Sequence, residues 1–300
     1  MTTTSKHGLL PDAPDLEAYF RRIGYAGSRT ATFDTLAALH RLHPQAIPFE
    51  NLDPLLRRPI VLNAAAFGRK MLTAGRGGWC YEHNLLFASV LEALGFRVTG
   101  YAARVLWGAP EGVVRPRTHM LLGVECPDGA ARAGPGVGGG SLDNPGICIA
   151  DVGFGGLTLT GPLRRVADIE QATPHETFRL VASGPDGYVL EVHLGGEWKP
   201  IYSFDPQSQV LADYELTNWY LGNFPESPFL QSLRAARAMP DRRYALYNNR
   251  LTTHYVNGAG SDQVMLTSPR ELRGALEDVM RIVLPDDPGL EGVLERFAAM

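Results

Sequence analysis

Apolar and polar positions change their spacing twice along this chain. In the first hundred residues apolar side chains recur every three or four positions, the spacing of a helix face. Asp15-Leu16-Glu17-Ala18-Tyr19-Phe20 and Phe33-Asp34-Thr35-Leu36-Ala37-Ala38-Leu39-His40 are predicted as early helices, each starting near an acid that suits a helix N-terminus. A third helix is predicted through Leu85, Leu86, Phe87, Ala88, Val90, Leu91 and Leu94, stopping at Gly95, a natural residue for the position just past a helix end. From Phe96 the pattern becomes that of strands, predicted over 98–107, 119–126, 147–152, 178–181, 188–194 and 198–204, with turns at Pro185-Asp186-Gly187 and Gly195-Gly196. An antiparallel barrel or curled sheet accounts for them. The last third is mixed. Residues 209–224 read as a helix and 244–255 as a hairpin turning at Asn248-Asn249. Ser268-Pro269-Arg270-Glu271 is a capping box with proline at the first helical position, and its helix is predicted to run through Leu272, Leu276, Val279, Met280 and Val283. The fold class is therefore α+β, divided into a helical lobe (1–97), a β-barrel (98–207) and a C-terminal α/β lobe (208–300).

Composition narrows this little. At 300 residues, 45% hydrophobic and 20% charged, the chain can bury a full core. A net charge of −4 and the absence of a lysine-rich or arginine-rich run argue against nucleic-acid partners. The start, Met1-Thr2-Thr3-Thr4-Ser5-Lys6, lacks the apolar stretch of a secretion signal, and no apolar run approaches bilayer-spanning length. Three cysteines without CxxC spacing fit a reducing compartment, so a cytoplasmic protein is expected, with Cys126 and Cys148 as packing residues. The run Gly134-Pro135-Gly136-Val137-Gly138-Gly139-Gly140-Ser141 lacks the following helix of a phosphate loop and reads as a flexible surface insertion.

The chemistry concentrates around Arg76-Gly77-Gly78-Trp79-Cys80-Tyr81-Glu82-His83-Asn84. Cys80 stands after two glycines and immediately before an apolar helical run, hence in a first helical turn. Unpaired amides and the helix dipole there favour an anion and lower a thiol pKa from about 8.5 toward neutrality. A nucleophile needs a base and a group to orient the base. His119 opens the apolar run Met120-Leu121-Leu122-Gly123-Val124. Asp151 sits between Ile147-Cys148-Ile149-Ala150 and Val152-Gly153-Phe154-Gly155-Gly156. An ionised carboxylate inside so apolar a run requires a partner, and an imidazole on a neighbouring antiparallel strand would supply one. Taken singly, each residue has a plainer reading: a buried structural cysteine, a satisfied core histidine, a turn acid.

Three motifs in order carry a family likeness: Ile47-Pro48-Phe49-Glu50-Asn51-Leu52, Arg76-Gly77-Gly78-Trp79-Cys80-Tyr81-Glu82-His83-Asn84 and Asp151-Val152-Gly153-Phe154-Gly155. Through them the chain resembles the arylamine N-acetyltransferases, from Tyr19 to roughly Phe229. The resemblance implies a cysteine-protease-like fold and acetyl transfer from acetyl-CoA to arylamines or hydrazines. Cys80 would accept the acetyl group, His119 would be the base and Asp151 the third triad member. It also implies a buried Arg76–Glu50 ion pair fastening the loop before Cys80. CoA would meet the loop of Gly153, Phe154, Gly155 and Gly156, whose amides a phosphate can approach closely. Thr118, Trp107 and Phe229 would wall the pantetheine channel or the aromatic acceptor pocket, although core packing accounts for Trp107 and Phe229 equally well. Arg164 and Arg165 are further candidates for CoA phosphates, or simply a solvated face. The other partner expected is a small aromatic amine or hydrazine, with no metal, nucleic acid or membrane.

The triad alone leaves other acyl-transfer chemistry open: macrolactam-forming amide synthases, cysteine proteases and transglutaminases all use a cysteine thioester. A zinc site from Cys80, His83 and His119 is a reading of a different class, but it lacks a second Cys/His pair. His7, His40, His43, His175, His193 and His254 have no motif context and default to surface or packing roles.

Overall fold

The computed structural model describes residues 9–110, 112–126, 143–185, 187–256 and 260–300. The glycine-rich run 134–141 and the first six residues lie outside them. Helices α1 (Leu16–Ile23) and α2 (Phe33–Ala46) open the chain, capped by the side chains of Asp15 and Thr32. A short strand β1 (Phe49–Glu50), two single-turn helices α3 (Leu52–Leu55) and α4 (Ala64–Phe67), and a wider-wound segment Gly68–Thr73 lead to α5 (Cys80–Ala93). Every residue of α5 from Cys80 to Leu91 is buried. That run is apolar or hydrogen-bonded on all sides, so α5 becomes the axis of the first core instead of one wall of it.

An eight-stranded antiparallel sheet follows, in the order β5-β4-β3-β2-β9-β8-β7-β6. Its members are β2 (Val98–Val105), β3 (Arg117–Glu125), β4 (Asn144–Ala150), β5 (Leu163–Arg165), β6 (Gln171–Ala172), β7 (Thr177–Ser183), β8 (Gly187–Leu194) and β9 (Glu197–Phe204). A bridge from Ala167 to Leu180 joins the segment after β5 to β7 and nearly closes the sheet into a barrel. Alternation along β3 serves two cores. Met120, Leu122 and Val124 pack with α5, while Leu121 points into the barrel with Ile149, Ile201 and Tyr202. The site residues on β3 and just after β4 are therefore held at the seam between both cores.

The C-terminal third holds α6 (Leu211–Asn223), α7 (Pro228–Gln231), α8 (Pro269–Gly274) and α9 (Leu290–Ala298). Its strands are β10 (Arg234–Met239), β11 (Arg242–Tyr247), β12 (Arg250–Tyr255) and β13 (Ser261–Met265). The hairpin turns at Asn248-Asn249 as expected, with Asn248 in the left-handed conformation (φ 54°) that a two-residue turn demands. Ser268 caps α8, accepting from the Glu271 amide while the Glu271 carboxylate accepts from the Ser268 amide at 3.1 Å. The helix it starts is shorter than expected. Its last turn widens over Ala275–Val279 and stops there, because Arg281 adopts φ 61° and Val283 leaves to donate its amide to the Gly75 carbonyl at 3.1 Å. Strand β1 is the edge of the second sheet, β1-β10-β11-β12-β13, so the Phe49-Glu50 motif is paired with the C-terminal strands. Among the described residues no helix is long and apolar enough to cross a membrane.

Candidate active site

The two glycines before Cys80 are fixed by close approach. A β-carbon on Gly77 would overlap the Pro48 carbonyl oxygen, and one on Gly78 would lie 2.7 Å from Glu82 Oε2. Gly78 itself bonds in both directions with 48–50, donating to Pro48 O at 3.3 Å and accepting from Glu50 N at 2.8 Å. Glu82 folds back to accept from the Trp79 amide at 3.1 Å. Cys80 thus begins α5 with its thiol at the seam, where Sγ lies 3.9 Å from the Thr118 carbonyl.

Beneath this turn lies a buried ion cluster. The Arg76–Glu50 pair is present at 2.7 Å, and it is one link of five charges: Arg76 also reaches Asp53 at 3.0 Å, and Lys70 holds Asp53 at 2.6 Å and Glu82 at 2.8 Å. Burial alone would discharge Lys70, but the carboxylates of Glu82, Glu50 and Asp53 keep its ammonium charged.

On the opposite side, His119 and Asp151 meet. Strands β3 and β4 pair Leu122 with Ala150, which sets the residue after β4 near the start of β3. His119 Nε2 bonds Asp151 Oδ2 at 2.7 Å, with both side chains almost completely buried. That leaves Nδ1 as the nitrogen for the sulfur, and Cys80 does act on the imidazole through a hydrogen bond. Burial by itself would depress the His119 pKa; the Asp151 carboxylate overcomes this, and with Cys80 pushes it up to about 10. Burial likewise opposes ionisation of Asp151, yet His119, Asn84 and the Gly153 amide together hold its pKa below the usual carboxylate range.

Four residues complete the site that motif reading left without a role. Asn84, one helical turn beyond Cys80, donates to Asp151 Oδ1 at 3.0 Å and to Met120 O at 2.7 Å, and accepts from Val152 N at 3.0 Å. It ties the cysteine helix to both strands at once. Its i, i+4 spacing from Cys80 was the available signal. His40 Nε2 accepts from the Asp151 amide at 3.1 Å, and burial pulls its pKa down to about 4, so it stays neutral behind the carboxylate. Thr158 Oγ1 donates to Asp151 O at 2.9 Å. Tyr202 packs tilted against His119 with ring centroids 5.0 Å apart, and burial and the Asp151 charge keep its phenol protonated. His40 and Tyr202 come from segments far from Asp151 and His119 in sequence, while Thr158 follows the Asp151 motif in the same loop.

The remaining candidates divide. Gly153 lies so close to α5 that a β-carbon would stand 2.9 Å from Cys80 Cα; its amide is taken by Asp151 Oδ1 at 3.0 Å, and that of Phe154 faces Thr158 Oγ1 at 3.3 Å. Among the described residues the Gly155 and Gly156 amides have no such acceptor. Thr118 borders the sulfur. Phe229 packs its ring 5.3 Å from Trp79 and 6.3 Å from Phe49. Trp107 is 41% exposed, on the turn after β2. Arg165 is turned to the Tyr101 hydroxyl at 3.1 Å, and Arg164, beside it on β5, exchanges backbone bonds with the Gln171 side chain. Both nitrogens of His83 are committed, one to His43 at 2.9 Å and one to the Pro48 carbonyl at 3.1 Å, so it does not turn toward Cys80.

This arrangement has counterparts. The family model described as N-acetyltransferase matches residues 32–288. The arylamine N-acetyltransferase of Mycobacterium tuberculosis is 38% identical over 285 residues, covering 94% of each chain. The arylamine N-acetyltransferase / N-hydroxyarylamine O-acetyltransferase of Salmonella typhimurium is 38% identical over 83% of this chain and 82% of its own. The structure of Mycobacterium marinum arylamine N-acetyltransferase in complex with CoA superposes with a TM-score of 0.82 at 35% identity, covering 95% of this chain and 98% of that one.

Proposed function

The chain belongs to the arylamine N-acetyltransferase family, and from that premise we propose that Cys80 carries an acetyl group from acetyl-CoA to the nitrogen of an aromatic amine or hydrazine. The observation that supports this most directly is the buried His119–Asp151 pair, whose remaining ring nitrogen turns to a thiol at a helix start. The imidazole of His119 takes the thiol proton as the attack begins. Cys80 Sγ attacks the thioester carbonyl, the new carbon–sulfur bond forms as the old one breaks, and the departing CoA sulfur takes the proton from His119. One thioester replaces another, so the step is close to thermoneutral and depends on positioning. The amine nitrogen then attacks the acetyl carbon, His119 accepts its proton and passes it to the departing Cys80 sulfur, and the amide leaves with the thiol restored. Asp151 keeps the imidazole in one orientation throughout, and the Cys80 amide at the start of α5 is available to the developing oxyanion.

The relative solved with CoA supports acetyl-CoA as donor. The unengaged amides of Gly155 and Gly156 fit the approach of its phosphates, with Thr118, Trp107 and Phe229 along the way to Cys80; Gly153 and Phe154 shape that loop. The division into lobes 1–97, 98–207 and 208–300, in a cysteine-protease-like arrangement with β1 lent to the last, belongs to the same reading. So does a cytoplasmic setting, which three cysteines that form no disulfide among the described residues suit. The test is intact-mass measurement after incubation with acetyl-CoA. One acetyl adduct is expected, lost in Cys80→Ala and discharged by an arylamine. Failure of the unmutated protein to acquire it, or persistence in Cys80→Ala, overturns the reading.

A further inference from the structure

Among the described residues four histidines are almost wholly buried, and three of them have both ring nitrogens in use. His43 joins Tyr19 and His83, His83 joins His43 and the Pro48 carbonyl, and His119 joins Asp151 and Cys80. His40 differs. Its Nε2 accepts from the Asp151 amide at 3.1 Å, while Nδ1 is buried with no partner beyond its own residue. The ring is neutral, so a nitrogen that accepts leaves the single hydrogen on the other, and His40 is the Nδ1–H tautomer. It thus leaves a donor unsatisfied in the core, a cost that marks acceptance from Asp151 as what fixes its place.

The surroundings show what that acceptor holds. His40 stands in the middle of α2 and rests edge-on against Phe87 of α5, with ring centroids 5.7 Å apart and planes at 89°. Cys80, Asn84 and Phe87 recur at helical spacing along one stripe of α5. That stripe carries the thiol, the donor to Asp151 Oδ1 and the support of His40 in turn. Asp151 is the first residue past β4, whose pairing with β3 ends at Ala150 opposite Leu122, so its amide lies beyond the ladder. His40 supplies the acceptor that a strand neighbour no longer does, and the Thr158 hydroxyl holds the carbonyl of the same residue. Only two side-chain torsions separate the carboxylate from this anchored main chain. A neutral ring anchors it without setting a second negative charge behind Asp151 to compete for the His119 proton.

We propose that His40 is a positioning residue for the triad: its Nε2 anchors the Asp151 main chain so that the carboxylate reaches His119 and Asn84 together. This rests on the acetyl-Cys80 reading. Single-turnover loading of Cys80 by 4-nitrophenyl acetate, which makes no use of CoA contacts, provides the test. In His40→Leu the loading rate constant falls by about tenfold to a hundredfold. His40→Gln, whose side-chain oxygen reaches the position of Nε2, recovers most of the loss. The proton shared by His119 and Asp151, followed as a downfield resonance in proton NMR, shifts in His40→Leu and returns in His40→Gln, which lost packing alone would not produce. Should His40→Leu not fold, His40→Asn, one methylene too short to reach the amide, takes its place with the same expectation. Equal slowing in the Leu and Gln variants, which assigns the effect to the bulk of the ring, overturns the proposal. So does loading at the unmutated rate in His40→Leu, or a resonance that stays in place. Absence of acetyl-enzyme in the unmutated protein refutes the underlying reading, and the role of His40 falls with it.

Discussion

Two buried clusters of charge flank Cys80, and they differ in how completely they are closed. On the α5 side, Glu50, Asp53, Lys70, Arg76 and Glu82 satisfy one another and the amides of Leu52 and Trp79. Nothing in that cluster points at the thiol. On the barrel side, Asp151 is equally buried and bonded to His119, Asn84 and Gly153, but the imidazole keeps a nitrogen facing sulfur. Burial and ion pairing are common to both, so neither marks chemistry. An open valence beside a thiol does.

The sharpest way to break this contrast is Asp151→Asn. An amide cannot stabilise the imidazolium and favours the wrong tautomer, so turnover is expected to fall by about 10⁴-fold while the fold survives; steady-state acetylation with circular dichroism as control checks it. The pair also fixes a pH signature. The His119 pKa is raised to about 10, so its stabilisation is complete below the unfolded value near 6.5 and is lost as pH rises through about 10. The Asp151 pKa is lowered, so its contribution is present above the unfolded value near 3.9 and is lost as pH falls through the folded one. Melting temperatures of the unmutated protein should fall on both flanks and those of Asp151→Asn should be flatter; parallel profiles would refute the pairing.

The closed cluster predicts the opposite division between stability and chemistry. Arg76→Met leaves Glu50 buried without its main partner and should cost about 3–5 kcal/mol of stability, read by urea unfolding. Glu50→Gln combined with Arg76→Met should lose less than the sum of the two single variants. Asn84 bridges the two clusters' elements, and Asn84→Ala should lie between the extremes, at about 1–3 kcal/mol of stability with turnover reduced by about tenfold. A loss of activity in Asn84→Ala as large as that of Asp151→Asn would mean that the helix, and not the acid, sets the imidazole.

How much of this was legible in sequence depended on whether a residue's role was local. The helix start at Cys80 is written in two adjacent glycines and an apolar run, and the β11–β12 turn in two asparagines, because backbone conformation is decided within a few residues. His119 and Asp151 were legible as a pair because a charge in an apolar strand demands a partner. His40 and Tyr202 were not, since their contacts with Asp151 and His119 are made through tertiary packing across 111 and 83 positions of chain; Thr158 is only seven residues from Asp151, but an irregular loop leaves no periodic trace to read. The unexpected membership of Phe49-Glu50 in the C-terminal sheet has the same cause: a two-residue strand has no alternation to read. The helix after Ser268 was overextended because apolar spacing continues to Val283, while the left-handed Arg281 that ends it carries no glycine or asparagine signal.

The smallest expected effect tests whether the closed and open clusters are insulated from the distant C-terminus. Ser268 caps α8 on the protein surface, with its hydroxyl accepting from the Glu271 amide at 3.3 Å and proline at the first helical position. Ser268→Ala removes one acceptor from an exposed helix end and should cost about 1 kcal/mol. Helix α8 buries Leu272 in a third core with Leu276, Leu290, Leu294 and Phe297, and this core shares Leu52 with the segment following Glu50. If the contacts through Leu52, Leu55 and Leu56 and the Val283–Gly75 bond transmit little, turnover at a temperature well below the melting point is unchanged and only the unfolding midpoint moves. A fall in turnover exceeding the fall in folded fraction would show that the position of Glu50, and with it the start of α5, is set from the far end of the chain.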